Sequence, residues 1–471
     1  MIGGGFSGLL TAVHLLRRHP TVQVRLVERR PRLGEGRAYG THEPDHLLNV
    51  RAANMSAFAD EPRHFLDWLG ETGDAGAFVS RARYAEYLQS LLAAEVQDLE
   101  AGQRLSRKLG EAVEAAPFDG RWKVRLAHGH AFHADAVVLA VGFPPSRWPA
   151  GVRVDGEGAA ELIADPWSAD LRTIPQGDIL LLGSGLTMVD VALSLAGPGR
   201  RLAALSRRGL APLSHGPAPA APPPAKALRS PAAALRILRR HAGAMGWRSA
   251  VDSIRPVTAT IWRAWSPSDR ARFLRHLRPW WDIHRHRMAP AVAERIGVMI
   301  ESGLLQVEAG RLESLQATGG GVEAVVHLRG RQEPVVWRYA AVVNCASPHG
   351  DPGQAGGLIG DLHRRGLLRP DALRLGVDVE EGFRLIGASG APTEGLYAVG
   401  PLTRAAVWEA VAVPDLRAHT ATVARTILAD LKTRGEAGFE PPASPDHTAG
   451  ERRVGAPGAV GPAGARVNVR S

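Results

Sequence analysis

The sequence predicts an α/β protein with two Rossmann-like units and a helical insertion. Three observations carry this. The chain opens "MIGGGFSGLLTAVHLL", with Gly3, Gly5 and Gly8 at G-x-G-x-x-G spacing, and an apolar helical pattern follows at once. A second strand-turn-helix unit lies far downstream in "GDILLLGSGLTMVDVALSLAGPGRRLAALSRRG". Between residues 201 and 300 the chain turns strongly basic and reads as several short helices.

In the first unit, the strand "VQVRLVERR" ends in Glu28, 20 residues after Gly8. A dinucleotide fold places there the acid that accepts hydrogen bonds from ribose hydroxyls. Gly3, Gly5, Phe6, Ser7 and Gly8 then form the phosphate turn, with Glu28 and Arg29 at the next strand end. Only Met1 and Ile2 precede the turn, fewer than a central strand needs, so the reading expects the natural start to lie further upstream.

In the second unit, the strand Ile179–Leu182 runs into Gly183, Ser184 and Gly185, and the helix begins about Leu186 and Thr187. Met188 stands where a third glycine is usual. The following strand ends in Ser206, Arg207 and Arg208 instead of an acid. Two guanidinium groups suit a 2′-phosphate through charge-assisted hydrogen bonds, which favours NADP(H) over NAD(H). The competing reading is two solvated arginines. An acid in the first unit and arginines in the second read as FAD followed by NADPH.

Three further segments fit that layout. The strand Ala136–Val141 ends at Gly142, and "AAVVNCASP" ends near Ala346 and Pro348; both suit crossings between the units. Gly395 to Gly400 reads as a strand and turn, with a long helix expected directly after it and Gly400, Pro401 and Trp408 facing the flavin. The expected organisation is a discontinuous FAD domain over 1–165 and 336–432 and an NADP domain over 166–335. The helical insert falls at about 215–300, and a disordered tail covers 433–471. A Pro/Ala-rich stretch at 211–234 reads as a loop without a core of its own.

Composition excludes several functions. No run approaches a membrane span and no signal peptide is present, so a cytoplasmic protein is expected. Cys345 is the only cysteine, which excludes an intramolecular disulfide, a C-x-x-C relay and a cysteine zinc site. It reads as a small buried filler. The net charge of +10 is more than accounted for by residues 201–300, where 18 basic residues face 4 acidic ones. Only four of the 57 basic residues are lysine and no reader motif is present, so no nucleic-acid partner is expected.

The stretches "GGGFSG", "GEGRAYGTHEPDHLLNVRAANMSAFADEPRHFLDWL", "LRPWWDIHRHRMAP" and "LYAVGPLTRAAVWEAVAVP" together resemble the FAD-NAD(P)-binding family of bacterial flavoproteins. The resemblance runs to about residue 430, and relatives include ornithine and lysine N-hydroxylases and proteins that oxidise the amine of aspartate. It implies a flavin monooxygenase or an allied NADPH oxidase. In the monooxygenase reading, NADPH reduces FAD, oxygen adds at flavin C4a, and the hydroperoxide oxidises a nucleophilic nitrogen or sulfur of a small molecule. A carboxylate-bearing substrate such as an amino acid is favoured by the basic insert. The alternatives are a reductase or dehydrogenase without oxygen insertion and a non-catalytic redox-sensing flavoprotein. The Baeyer–Villiger fingerprint is absent, no acid/base dyad is expected, and the catalytic residues and oligomeric state stay open.

Arg37, Ala38, Tyr39, Asn49 and Met55 are read as lining the isoalloxazine or as ordinary loop and core residues, and His46 as a polar contact there. In "RHLRPWWDIHRHRM", Arg278, His284 and Arg287 are read either as an anionic-substrate pocket or as solvated cations on a packed helix pair. His284 and His286 have the wrong spacing for one helix face, so no metal is expected.

Overall fold

The computed structural model describes residues 1–70, 73–97, 104–224, 228–346 and 351–436. The chain divides into a first unit, Met1–Leu431, and a second, Lys432–Ser471, whose described part is the end of a helix.

The first sheet begins with β1 (Val24–Glu28) and β2 (Leu105–Leu109), which are parallel. β3 (Ala112–Phe118), β4 (Arg121–Leu126) and β5 (Ala131–Ala134) form a separate antiparallel sheet that anchors through Trp122 Nε1 donating to Glu394 O. β6 (Val137–Leu139) is shorter than the expected 136–141 strand. Met1–Gly3 lie between β1 and β6 and bond to both. Ile2 N donates to Val138 O, Ala140 N to Ile2 O, Gly3 N to Val27 O and Val27 N to Met1 O, all at 2.8–2.9 Å. Those few residues therefore join β1 and β6 into one sheet as parallel neighbours, supplying in three residues the pairing of a central strand.

The second sheet contains β7 (Arg153–Asp155), β8 (Leu162–Ile163), β9 (Ile179–Leu182), β10 (Leu202–Ser206), β11 (Leu305–Ala317), β12 (Val322–Leu328), β13 (Val335–Tyr339) and β14 (Ala341–Asn344). Its order is β13-β12-β11-β10-β9-β14-β8, with β7 beside β11. β8, β14, β9, β10 and β11 are parallel, whereas β11 to β13 form an antiparallel meander that the sequence reading did not foresee. β14 lies in this sheet although it falls beyond residue 336: Ala341, Val342 and Val343 are buried between β9 and β8, and Asn344 at its end donates to Arg147 O and Ala164 O. The return to the first sheet comes later, with β15 (Arg384–Ile386) and β16 (Pro392–Ala398), the latter parallel to β6. Pro348 lies outside the described residues.

Besides two short helices, Gly36–Tyr39 and His64–Leu69, the helices are α1 (Phe6–Arg18), α2 (Arg81–Gln97), α3 (Leu186–Leu195), six in the insert, α10 (Gly357–Arg364) and α11 (Val413–Glu436). The insert runs α4 (Pro231–Met245), α5 (Trp247–Ser253), α6 (Thr258–Ala264), α7 (Pro267–Arg272), α8 (Arg278–Arg285) and α9 (Pro290–Glu301). α4 and α7 start on serine caps, Ser230 and Ser266, each followed by proline at the first helical position. The Pro/Ala-rich stretch is not wholly loop. Leu213–His215 hydrogen-bond to the segment from Ile283 to Met288, and α4 begins at Pro231. The expected tail begins inside α11, and residues 437–471 lie outside the described residues.

One core lies between α1, α2 and α11 around Leu9, Leu10, Phe65, Tyr84 and Tyr87; a second joins the second sheet to α3 and α9. A third, aromatic cluster of Trp262, Trp265, Phe273 and Trp408 fastens the insert to the segment after Gly400. Among the described residues no helix is long and apolar enough to cross a membrane.

Candidate functional site

The first cradle forms where the opening glycine turn meets the sheet. Gly3 has φ +104°, and a Cβ there would stand 2.3 Å from Ala140 O, so only glycine fits. α1 starts at Phe6 behind Gly5, which provides no side-chain cap, so the first amides of the helix remain available to an anion. Glu28 ends β1 beside the turn; one carboxylate oxygen accepts from Gly4 N at 2.7 Å and the other from Arg30 N at 3.0 Å. Each oxygen keeps a lone pair for a hydroxyl donor. A Cβ on Gly5 would meet nothing nearer than Gly36 Cα at 3.5 Å, and one on Gly400 would stand 2.7 Å from Ser7 Oγ. Gly142, just after β6, has open space beside it. Gly3 to Gly8, Glu28, Gly142 and Gly400 thus gather at the carboxyl ends of the first sheet, where open α/β sheets bind ligands.

The remaining expected flavin residues divide. Arg29 and Ala38 are exposed. Tyr39 packs on Tyr84 at 4.9 Å, and burial pushes its phenol pKa up. Asn49 is half-buried, with its carbonyl accepting from His215 Nε2 at 3.0 Å. Arg37 is committed elsewhere: its Nη2 pairs with Asp165 at 2.5 Å and reaches Ser146 Oγ at 3.3 Å, bracing the crossing to the second sheet. Met55 is buried in the first core, its carbonyl accepting from Tyr84 Oη. Pro401 lies in a short 3₁₀ turn, Gly400–Thr403. The long helix does not follow directly but starts at Val413, where Pro414, which has no amide to donate, suits a first turn. Trp408, in the intervening stretch, turns away into the insert and stacks on Trp262 at 4.8 Å. Aromatic packing there outweighs exposure to a ligand.

The second cradle repeats the design. Gly183 has φ +102° and lies against Cys345 O, while Gly185, at the cap of α3, has nothing within 4 Å of a built Cβ. Ser184 Oγ lies 2.8 Å from Ser206 Oγ and 2.5 Å from Leu210 O, tying the turn to the next strand end. Met188, in place of the usual glycine, is fully buried in the second core, and Leu186 packs against that core. Thr187 is half-buried, and Arg207 is exposed and Arg208 half-buried. Neither arginine forms an ion pair or hydrogen bond among the described residues. Cys345 is buried, and burial raises its thiol pKa.

The three residues expected to share an anionic pocket do not converge. Arg278 pairs with Asp282 at 3.3 Å and faces Trp408. His284 Nδ1 donates to Trp280 O at 2.8 Å, and its ring stands edge-on to Trp247. Arg287, only 2% exposed, turns inward to Asp252 and leaves Nε and Nη1 without partners. The helix ends at Arg285, so residue 287 no longer follows helical spacing. Arg287 instead meets residues the sequence did not suggest. Arg248 donates to Ser214 O, Arg51 to Gly216 O, and His215, its pKa lowered to about 4 by burial and then by Arg287, bonds to Asn49. Of these guanidinium groups only that of Arg287 pairs with a carboxylate, Asp252; Arg51 and Arg248 spend theirs on backbone carbonyls. A second buried pair, Arg285 with Glu409 at 3.4 Å, lies beneath the aromatic cluster, where Glu409 also accepts from Trp281 Nε1 at 2.8 Å. Among the described residues no group of three metal-ligating side chains gathers.

Sequence reasoning also missed a seam between the sheets. Arg81 Nη2 pairs with Asp190 at 2.7 Å, and His46 Nε2 lies 2.9 Å from Ser194 Oγ. His46 is buried, with its ring nitrogens on Thr41, Asp190 O and Ser194. The available signal was Asp190 itself, a lone acid in the apolar helix "LTMVDVALSL".

Comparison with known proteins agrees with this geometry. No curated protein matches the chain in sequence. Its fold is similar to that of ornithine N-hydroxylase from Kutzneria sp. 744, solved with reduced FAD, NADP⁺ and L-ornithine (16% identity, TM-score 0.62, covering 92% of this chain and 98% of that one). It is similar to L-lysine 6-monooxygenase from Pseudomonas syringae (15%, 0.61, 92% and 98%). Thioredoxin reductase from Lactococcus lactis shares the fold at 11% identity and TM-score 0.52, covering 92% of this chain and 98% of that one. Over residues 1–144, which hold Gly3 to Gly8, Glu28 and Gly142 of the first cradle, the chain matches the model of the FAD-NAD(P)-binding family, and over about nine-tenths of its length it shares the fold of these solved structures.

Proposed function

We propose that the protein is an NADPH-dependent FAD monooxygenase that oxidises a nucleophilic nitrogen or sulfur of a small carboxylate-bearing molecule such as an amino acid. The observation that carries this reading is the single, buried Cys345 in a fold that thioredoxin reductase also adopts. Without a second thiol there is no dithiol relay, so electrons leave the flavin by direct hydride transfer, as single electrons or to oxygen, and the last of these is the route favoured here.

The residues present fit both groups. The open face of Gly5, the uncapped start of α1 and Glu28 suit the pyrophosphate and ribose of FAD. Gly185, Ser206, Arg207 and Arg208 suit NADPH, the guanidinium groups holding its 2′-phosphate. Bound flavin supplies the redox chemistry, accepting hydride and reacting with molecular oxygen. The protein's part is to bind, orient and keep water out. Arg37, through Asp165, holds the crossing strand next to the first cradle. The orphan Nε and Nη1 of Arg287, whose remaining nitrogen pairs with Asp252, favour a carboxylate near Asn49 and His215.

The test is to reduce the purified flavoprotein anaerobically with NADPH, then admit isotope-labelled oxygen with panels of amino acids, amines and sulfides. Labelled oxygen in an organic product supports the reading. Flavin reduction with all oxygen recovered as hydrogen peroxide, whichever substrate is offered, replaces it with a reductase or oxidase. No reduction at all points to a non-catalytic flavoprotein.

A further inference from the structure

The seam between the two cradles is built like a strut. Arg81 is the first residue of α2 and Asp190 lies one turn into α3, so their pair joins the starts of two helices. Each end leads directly to a cradle. Tyr84, one turn along α2, stacks on Phe6, the first residue of the helix behind Gly5. Asp190 sits one turn from Gly185, the cap of α3. Around the pair, His46 reaches Ser194 Oγ and Asp190 O, and Trp167 flanks both His46 and Arg81. Asp190 and His46 are buried and Arg81 nearly so, and little water is there to replace either charge partner.

We propose that Arg81 and Asp190, steadied by His46, are positioning residues that hold the second cradle at hydride-transfer distance from the first. This rests on the flavin and NADPH reading above. Hydride transfer moves two electrons and one proton from nicotinamide C4 to flavin N5, with NADPH leaving as NADP⁺. It needs its two atoms in near contact, and misplacement by about 1 Å can cost roughly a hundredfold. Neither residue touches the cofactors; they act through α2 and α3.

The test is anaerobic stopped-flow reduction of Asp190→Asn, Arg81→Gln and Arg81→Lys, with Ser194→Ala as a milder change should the others fold poorly. The limiting rate at saturating NADPH is expected to fall roughly ten- to a hundredfold in Asp190→Asn and Arg81→Gln. NADPH affinity, FAD content and reoxidation of dithionite-reduced enzyme should stay within about twofold, since those need only one cradle. Arg81→Lys should recover part of the loss, and Ser194→Ala should lie between. A limiting rate unchanged in all four overturns the proposal, as does an equal fall in FAD content or reoxidation, which would mark a general folding defect. Wild-type protein that NADPH does not reduce overturns the functional reading and this inference with it.

Discussion

A methyl group placed at three glycines separates what the chain needs for itself from what it leaves open for ligands. At Gly8 a Cβ would stand 1.9 Å from Gly3 O and 3.1 Å from Ala140 Cβ, so Gly8→Ala must displace backbone where α1 crosses the sheet. At Gly185 a Cβ meets nothing within 4 Å, and the backbone there, φ −85° and ψ −167°, is one alanine adopts freely. Gly5, at φ −72° and ψ −170°, is equally unstrained, its nearest neighbour 3.5 Å away. Gly185→Ala should therefore melt within about 0.5 kcal/mol of wild type, as surface substitutions do. A methyl forced into the space of a tightly held pyrophosphate costs about 1–3 kcal/mol, so the NADPH dissociation constant should rise roughly 5- to 150-fold. FAD content should be untouched. Gly5→Ala should show the mirror image, losing FAD while NADPH binding by reconstituted enzyme persists, and Gly8→Ala should fail by destabilisation. The assays are thermal melting, flavin content and NADPH titration of flavin reduction. NADPH affinity unchanged in Gly185→Ala, with the methyl accommodated, would refute the placement of the second cradle.

Replacing Arg207 and Arg208 together by alanine should raise the NADPH dissociation constant roughly ten- to a hundredfold, the worth of one or two charge-assisted hydrogen bonds, while leaving NADH unaffected; comparing the two nucleotides in one titration reads this directly. Glu409→Gln keeps the bond from Trp281 but leaves Arg285 buried without its counter-charge, so thermal stability should fall by about 3–5 kcal/mol at neutral pH. Burial lowers the pKa of His14, His215 and His419 to about 4. In the unfolded chain these rings bind protons below about pH 6.5, so their neutral, folded forms stabilise the protein above that value, and the benefit is lost as pH falls from about 6.5 through 4. His14→Gln should flatten the decline in melting temperature over that window, and an unchanged pH profile would remove His14 from the account.

Much of this site was legible from local spacing. Gly3 to Gly8, Glu28, Gly183 to Thr187 and Ser206 stand where a strand-turn-helix rule puts them, because that rule follows from backbone sterics within about thirty residues. What was not legible depends on partners far along the chain. Arg37 looked like a ring contact until Asp165, 128 residues away, claimed it. Trp408 looked the same until the insert offered Trp262 as a stacking partner. The pocket assigned to Arg278, His284 and Arg287 assumed helical spacing across a helix that stops at Arg285. β14 joined the second sheet instead of returning to the first, since three apolar residues and an asparagine carry no mark of which sheet will bury them.

The stack of Trp408 on Trp262 sets a limit on how such a chain can diversify. Because those rings, with Trp265 and Phe273, lock the helical block to the stretch beside the Gly400 turn, the block is no interchangeable cassette. Its inner wall is part of the packing around the Gly400 turn. Transplanting the block whole would strip four large rings of their cover.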